Sequence, residues 1–196
     1  MAISTEMVQQ LRQCTGAGVL ECKKALEQSQ GNMEEAVKIL RTKGIAQAEK
    51  KASRSTKQGL VATYVHMGGQ LGVLVEVNCE TDFVARTDDF QTLTHDLAMQ
   101  VAAANPIYVK REDIPAEILE KEKEIARSQV AGKPANVAEK IIAGKLEKYY
   151  EQFCLVDQPF IKDDKVKIND YLKSSIAKIG ENIVIKRFAR FKLGEE

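Results

Sequence analysis

Along residues 1–44 apolar side chains recur every three to four positions, and the recurrence is interrupted twice. Val8 and Leu11 share one face of a first helix that Ser4 or Thr5 can cap. TGAG, residues 15–18, supplies two glycines able to end that helix and turn the chain. Val19, Cys22, Ala25 and Leu26 mark a second helix. QGN, residues 30–32, breaks it, and Asn32 can cap a third helix carrying Ala36, Val37 and Leu40, with Gly44 as its expected stop. Three short helices of this length can just close a small core. Residues 45–57, IAQAEKKASRSTK, lack large apolar anchors after Ile45 and are basic. They predict a continuation of the third helix that passes into a solvated linker.

The period then changes from about 3.6 to 2. LVATYVHM and LGVLVEVN alternate around Gly68 and Gly69, which predicts a β-hairpin with Val73, Val75 and Val77 on one face. A helix should follow, capped by Thr81, with Asp82 in its first turn near the positive end of the helix dipole. Its stripe would run through Phe83, Phe90, Leu93, Leu97 and Val101. Residues 113–153 carry two long, charged helical patterns, interrupted at AGKP (131–134), and predict an antiparallel helical hairpin. Pro115 suits the first turn of the first of them, through Ile118, Leu119, Ile125 and Val130. Val137, Ile141, Ile142 and Tyr149 mark the second. LVDQPFI, residues 155–161, reads as an irregular or extended connection. Leu172, Ile176 and Ile179 define a last helix ending at Gly180. NIVIKRFARFKL alternates as a final strand, with Ile183, Ile185, Ala189, Phe191 and Leu193 on one side, Lys186, Arg190 and Lys192 on the other, and Arg187 out of step. The fold class is α+β: three N-terminal helices (1–44), a basic linker (45–57), and a core (58–196) with a three-stranded antiparallel sheet, packed helices and a protruding helical hairpin.

Composition narrows the function. The chain has 196 residues, 44% hydrophobic and 29% charged, with a formal net charge of +1. That is ordinary for a soluble globular protein and provides no field to attract nucleic acid or an anionic membrane. No apolar run approaches the roughly 20 residues that cross a bilayer, and MAISTEMVQQLRQC lacks the pattern of a secretory signal. Cys14, Cys22, Cys79 and Cys154 are scattered, which fits reduced thiols of a cytosolic protein better than a disulfide framework or a zinc site. His66 and His95 have no partner at ligand spacing. There is no GxxxxGK[ST], GxSxG or HExxH. TGAG follows a helix, whereas a phosphate-binding GxG follows a strand. Catalytic residues, cofactor and metal are therefore expected to be absent.

Four stretches carry a resemblance: LRQCTGAGVLECKKALEQSQGNMEEAVKILRTKG, EVNCETDFVA, AGKPANVAEKIIAGKLEKYYEQFCLVDQPF and IAKIGENIVIKRF. Together they span nearly the whole chain, and the sequence resembles the bacterial-type elongation factor Ts family. The resemblance implies a three-helix, ubiquitin-associated-like N-terminal domain joined by a linker to an α+β core. It implies a guanine-nucleotide exchange factor, itself without catalysis, whose partner is GDP-bound elongation factor Tu. By matching motifs, Arg12, Val19 and Leu20 around TGAG, and Ile179, Gly180 and Asn182 in KIGEN, would touch that partner. Thr81, Asp82, Phe83 and Val84 would disturb its magnesium site.

Read without the resemblance, these residues have plainer roles. Arg12 is a surface cation. Composition leaves Val19 and Leu20 divided between closing the helical core and forming an exposed tip. Phe83, on its helix's apolar stripe, reads as a core anchor, and KIGEN as an ordinary helix stop. Longer family members have two related halves in the core, whereas this chain has one sheet-forming set. A homodimer binding two GTPases is the expected substitute, working in the cytoplasm without direct nucleic-acid or membrane contact. The rivals are an adaptor built on the N-terminal helices, which leaves the later motifs unexplained, and an RNA-binding protein using the basic linker, which lacks aromatic platforms.

Overall fold

The Ser4 hydroxyl accepts a hydrogen bond from the Met7 amide and starts α1, Thr5–Thr15. In the computed structural model, which describes residues 3–130 and 134–195, Gly16 ends this helix at φ 68°, a left-handed conformation that glycine reaches without strain. Its amide donates to the Arg12 carbonyl at 2.8 Å. Helix α2 covers Val19–Gln28. Helix α3, Met33–Lys51, is capped by Asn32, whose side-chain oxygen accepts from the Glu35 amide. Val8, Leu11, Cys22, Ala25, Leu26, Ala36 and Leu40 form one buried cluster among the three helices.

Val37, placed on the inner face of the third helix by spacing, lies outside that core and is exposed, as is Val19, which the sequence left open. Gly44 does not stop α3 either. The helix runs on to Lys51, and Gly44 instead lets it approach α8 (Ile168–Ile179), where a β-carbon on Gly44 would lie 3.1 Å from that of Ala177. Arg41 pairs with Asp170 at 2.6 Å and Lys173 with Glu49 at 3.3 Å along the same helix pair.

Strands β1 (Gln58–Val65), β2 (Leu71–Cys79) and β5 (Ile183–Lys192) form a three-stranded antiparallel sheet in the order β1-β2-β5. Ala62, Val73, Val75, Val77, Ile183 and Ile185 are buried, as alternation requires. The alternation of burial in β5 is lost after Ile185. Lys186 and Arg187 are both exposed, Arg187 pairs with Glu76 at 2.7 Å, and beyond them Phe191 and Leu193 face solvent. Arg190, expected on the polar side, is the residue whose side chain is tucked in, donating to the Ala102 carbonyl.

The helix expected after β2 is two helices: α4 (Asp82–Ala85) and α5 (Asp88–Ala104). Thr87 makes the break. Its hydroxyl donates to the Val84 carbonyl and accepts from the Phe90 amide, ending one helix and capping the next. Phe90, Leu93, Leu97 and Val101 form the buried stripe of α5, and Phe83 is not part of it.

Helices α6 (Ala116–Ser128) and α7 (Ala135–Phe153) pack against each other, with side-chain contact between Lys145 and Gln129. The expected break at AGKP falls mostly at 131–133, outside the described residues. Arg111 secures this region. It pairs with Glu147 at 2.7 Å and Asp157 at 2.6 Å and lies 4.3 Å over the Tyr150 ring. Within the connection expected to be irregular or extended lies a short strand, β3 (Pro159–Phe160), antiparallel to β4 (Asp163–Lys167), which the sequence reading did not include. Buried Gln100 holds it, donating to the Pro159 carbonyl and accepting from the Ile161 amide.

Packing divides the chain into two compact units. One comprises Met1–Leu60, Val77–Leu93 and Asp170–Val184; the other comprises Val61–Glu76, Thr94–Asn169 and Ile185–Glu196.

Candidate partner-binding surface

All ten residues singled out from sequence fall in the first unit. At the turn between α1 and α2, Gly16 and Gly18 carry the chain across, and Val19 and Leu20 open α2 at 53% and 63% exposure. Leu20 is two residues before buried Cys22, about 200° around the helix, and so points away from the core. The sequence left this pair open between core and tip; the fold makes them a tip, with Arg12 exposed in the last turn of α1.

Thr81 sits in extended backbone (φ −127°, ψ 154°) and its hydroxyl accepts from the Val84 amide at 3.4 Å, starting α4. Asp82 pairs with Arg86 at 2.8 Å across one turn. Phe83 is 78% exposed, although a phenyl ring gains roughly 1.5–3 kcal/mol by burial. Val84 is half-buried. Behind the turn, the Cys79 thiol donates to the Thr81 carbonyl at 3.1 Å, and burial pushes its pKa up, with Glu181 adding to the shift.

The third group follows α8. Gly180 adopts φ 92° and its amide donates to the Ile176 carbonyl at 2.9 Å, as an expected helix stop should. Ile179 is half-buried and Gly180 exposed. Asn182 is 3% exposed, and its amide group donates to the carbonyls of Ala52 (3.3 Å) and Arg54 (2.9 Å). It pins the chain after α3 and does not face outward.

Several residues that sequence reasoning passed over connect these groups. Glu181 accepts hydrogen bonds from the Glu80 and Thr81 amides, and Glu80 accepts from the Asn182 amide at 2.6 Å. Lys178 crosses Gly16 and reaches Asp89 at 2.6 Å. The only signal in the sequence was a carboxylate beside each motif, CETDF and IGEN. Among the described residues, no group of three or more His, Cys, Asp or Glu could hold a metal ion, and no helix is long and apolar enough to cross a membrane.

Two exposed apolar points, Val19–Leu20 and Phe83, thus stand on tightly held turns of one unit. Comparison with known proteins names the class. The family model for elongation factor Ts matches residues 2–195. Elongation factor Ts of Thermotoga petrophila is 58% identical over 195 residues, covering 100% of this chain and 98% of its own length. That of Thermodesulfovibrio yellowstonii is 56% identical over 196 residues, with 100% and 98% covered. That of Carboxydothermus hydrogenoformans is 56% identical over 195 residues, with 98% and 90% covered. The chain belongs to the elongation factor Ts family. Membership supports a role in translation as a nucleotide exchange factor for elongation factor Tu.

Proposed function

We propose that this chain speeds GDP release by pressing Phe83 and Asp82 toward the magnesium and phosphate region of elongation factor Tu. Arg12, Val19 and Leu20 at one turn, and Ile179 and Gly180 at another, grip the same GTPase, while buried Asn182 holds the second turn in shape. The observation that carries this reading is the exposed Phe83 ring on a turn held by the Thr81 cap and the Glu181 carboxylate. Magnesium requires near-octahedral geometry, so a small displacement of the elements around it weakens its hold. Phe83 acts as a wedge. Asp82, leaving Arg86, reorganises nearby polar contacts without ligating the ion. Factor and nucleotide then oppose each other's binding, reciprocally.

The working form is a cytoplasmic homodimer carrying two GTPases. Supporting this, Val61 and Val65 on β1 and Leu74 on β2, which alternate with buried residues of those strands, are exposed, as is Phe191 on β5. A second copy, bringing the same residues, would cover them symmetrically. The direct test is release of labelled GDP from elongation factor Tu with increasing amounts of the chain. A saturable acceleration is expected, and GDP release that stays at its spontaneous rate at saturation refutes the reading.

A further inference from the structure

Strand β2 ends at Cys79 and strand β5 begins at Ile183, and the residues flanking them hold each other across about a hundred positions of sequence. One Glu181 carboxylate oxygen accepts from the backbone amides of Glu80 (3.1 Å) and Thr81 (3.0 Å), and the other accepts from the Thr81 hydroxyl at 2.7 Å. In return the Glu80 carboxylate accepts from the Asn182 amide at 2.6 Å and from Arg54 at 3.5 Å. Asp82 pairs instead with Arg86.

The Thr81 hydroxyl has one proton. Given to Glu181, that proton leaves an oxygen lone pair free to face the Val84 amide, which is the bond that caps α4. A four-residue helix cannot sustain itself, since a single turn fixes several backbone angles for very few hydrogen bonds. Its orientation therefore depends on its anchor. Three bonds to one carboxylate, each charge-assisted, are stronger than neutral ones.

We infer that Glu181 is the positioning residue of the exchange turn: its carboxylate sets the Thr81 cap and so aims Phe83 and Asp82 at the partner. Glu80 completes the clasp from the other side by holding residue 182. This inference rests on the exchange reading proposed above, for which it supplies the rigidity the wedge needs.

The chain contains no tryptophan, so Phe83→Trp places a single reporter at the turn. In that background Glu181→Ala should enlarge the fast local component of tryptophan anisotropy and speed hydrogen exchange at the Glu80 and Thr81 amides. Glu181→Gln, which keeps an acceptor oxygen, should restore part of both. With Phe83 intact, Glu181→Ala should lower the plateau rate of stimulated GDP release roughly tenfold, the scale of one lost charge-assisted bond, with little change in the half-saturating concentration. In a Phe83→Ala background the same change should add less than about twofold, because the two act in series. Unchanged anisotropy and amide exchange in the Ala variant overturn the inference. So does an unaltered plateau rate, or a loss confined to half-saturation. If the Ala variant fails to fold, the Gln variant decides on the same criteria. A parental chain that does not stimulate release refutes the exchange reading instead, and anisotropy and amide exchange then still decide whether Glu181 holds the turn.

Discussion

The aliphatic chain of Lys178 lies across Gly16, so close that a β-carbon on Gly16 would fall 2.8 Å from Lys178 Cδ. The Lys178 ammonium continues to Asp89 at 2.6 Å. The α1–α2 turn, the end of α8 and the start of α5 are thereby linked by one side chain. Gly16→Ala should destabilise the protein by roughly 1 kcal/mol, because alanine is strained at positive φ and its methyl displaces the lysine stem. Adding Lys178→Ala removes the clash but not the backbone strain. The double variant should therefore be more stable than the sum of the single changes predicts, which a urea denaturation cycle measures.

Replacing both Val19 and Leu20 with Asp should leave helix content by circular dichroism unchanged, since both side chains already face solvent. Affinity for elongation factor Tu should fall by ~2 kcal/mol or more if the tip docks, as interface energy concentrates in a few desolvated side chains. Calorimetric titration reads the result, and an unaltered affinity would remove the tip from the interface.

Phe83→Ala should slow stimulated GDP release by roughly tenfold if ~1.4 kcal/mol of coupling is lost. The melting temperature should barely move, because the ring buries little in the free protein. Asp82→Ala should show a similar defect that shrinks when magnesium is chelated, its task being already done. Full-rate release by both variants would return Phe83 to a passive surface residue.

Light scattering at micromolar concentration should give twice the chain mass. Leu74→Lys combined with Phe191→Glu, at exposed positions of the sheet, should shift the species to monomer with the fold retained. A monomer mass for the parental chain, alone and with its partner, would exclude the homodimer.

The four thiols should separate by burial. Cys22, Cys79 and Cys154 are buried and their pKa values raised, that of Cys154 to about 11, chiefly by desolvation, whereas Cys14 is exposed. Iodoacetamide at pH 8 should therefore give one adduct by mass spectrometry on the native protein and four in denaturant. The raised Cys154 value also has a sign. Its contribution to stability is complete below the ordinary thiol value of 9.0 and is lost as pH rises toward 11, because the unfolded chain releases that proton first. Unfolding free energy should fall across that window, and more gently after Cys154→Ala.

Much of this architecture was legible because local chemistry decides it. Asn32 and Thr81 cap helices through their own side chains, Gly16 and Gly180 end helices at positive φ, and Val73, Val75 and Val77 alternate into the core. Even the break before α5 was written locally, in Thr87 followed by Asp88 and Asp89, but a continuous apolar spacing from Phe83 to Phe90 concealed it. Periodicity reports which residues share a helix face, not whether the helix is continuous.

What the sequence alone determined was the order of the three N-terminal helices, the hairpin, the long helices and the final strand, the α+β class and the motifs that mark the family. What only tertiary structure decided was which apolar side chains stay outside and what holds them there. Gly44 looked like a helix end until Ala177 packed against it. Arg187 looked like an irregularity until the sheet brought Glu76 of β2 within 2.7 Å of it, and Phe191, expected inside, is exposed. Glu181 and Thr81 meet across a hundred residues because β2 and β5 are neighbours in the sheet. Local pattern records the preferences of neighbours in sequence; contacts between distant segments arise only when a common core brings their ends together, and the bond from the Thr81 hydroxyl to Glu181, two residues before Phe83, is such a contact.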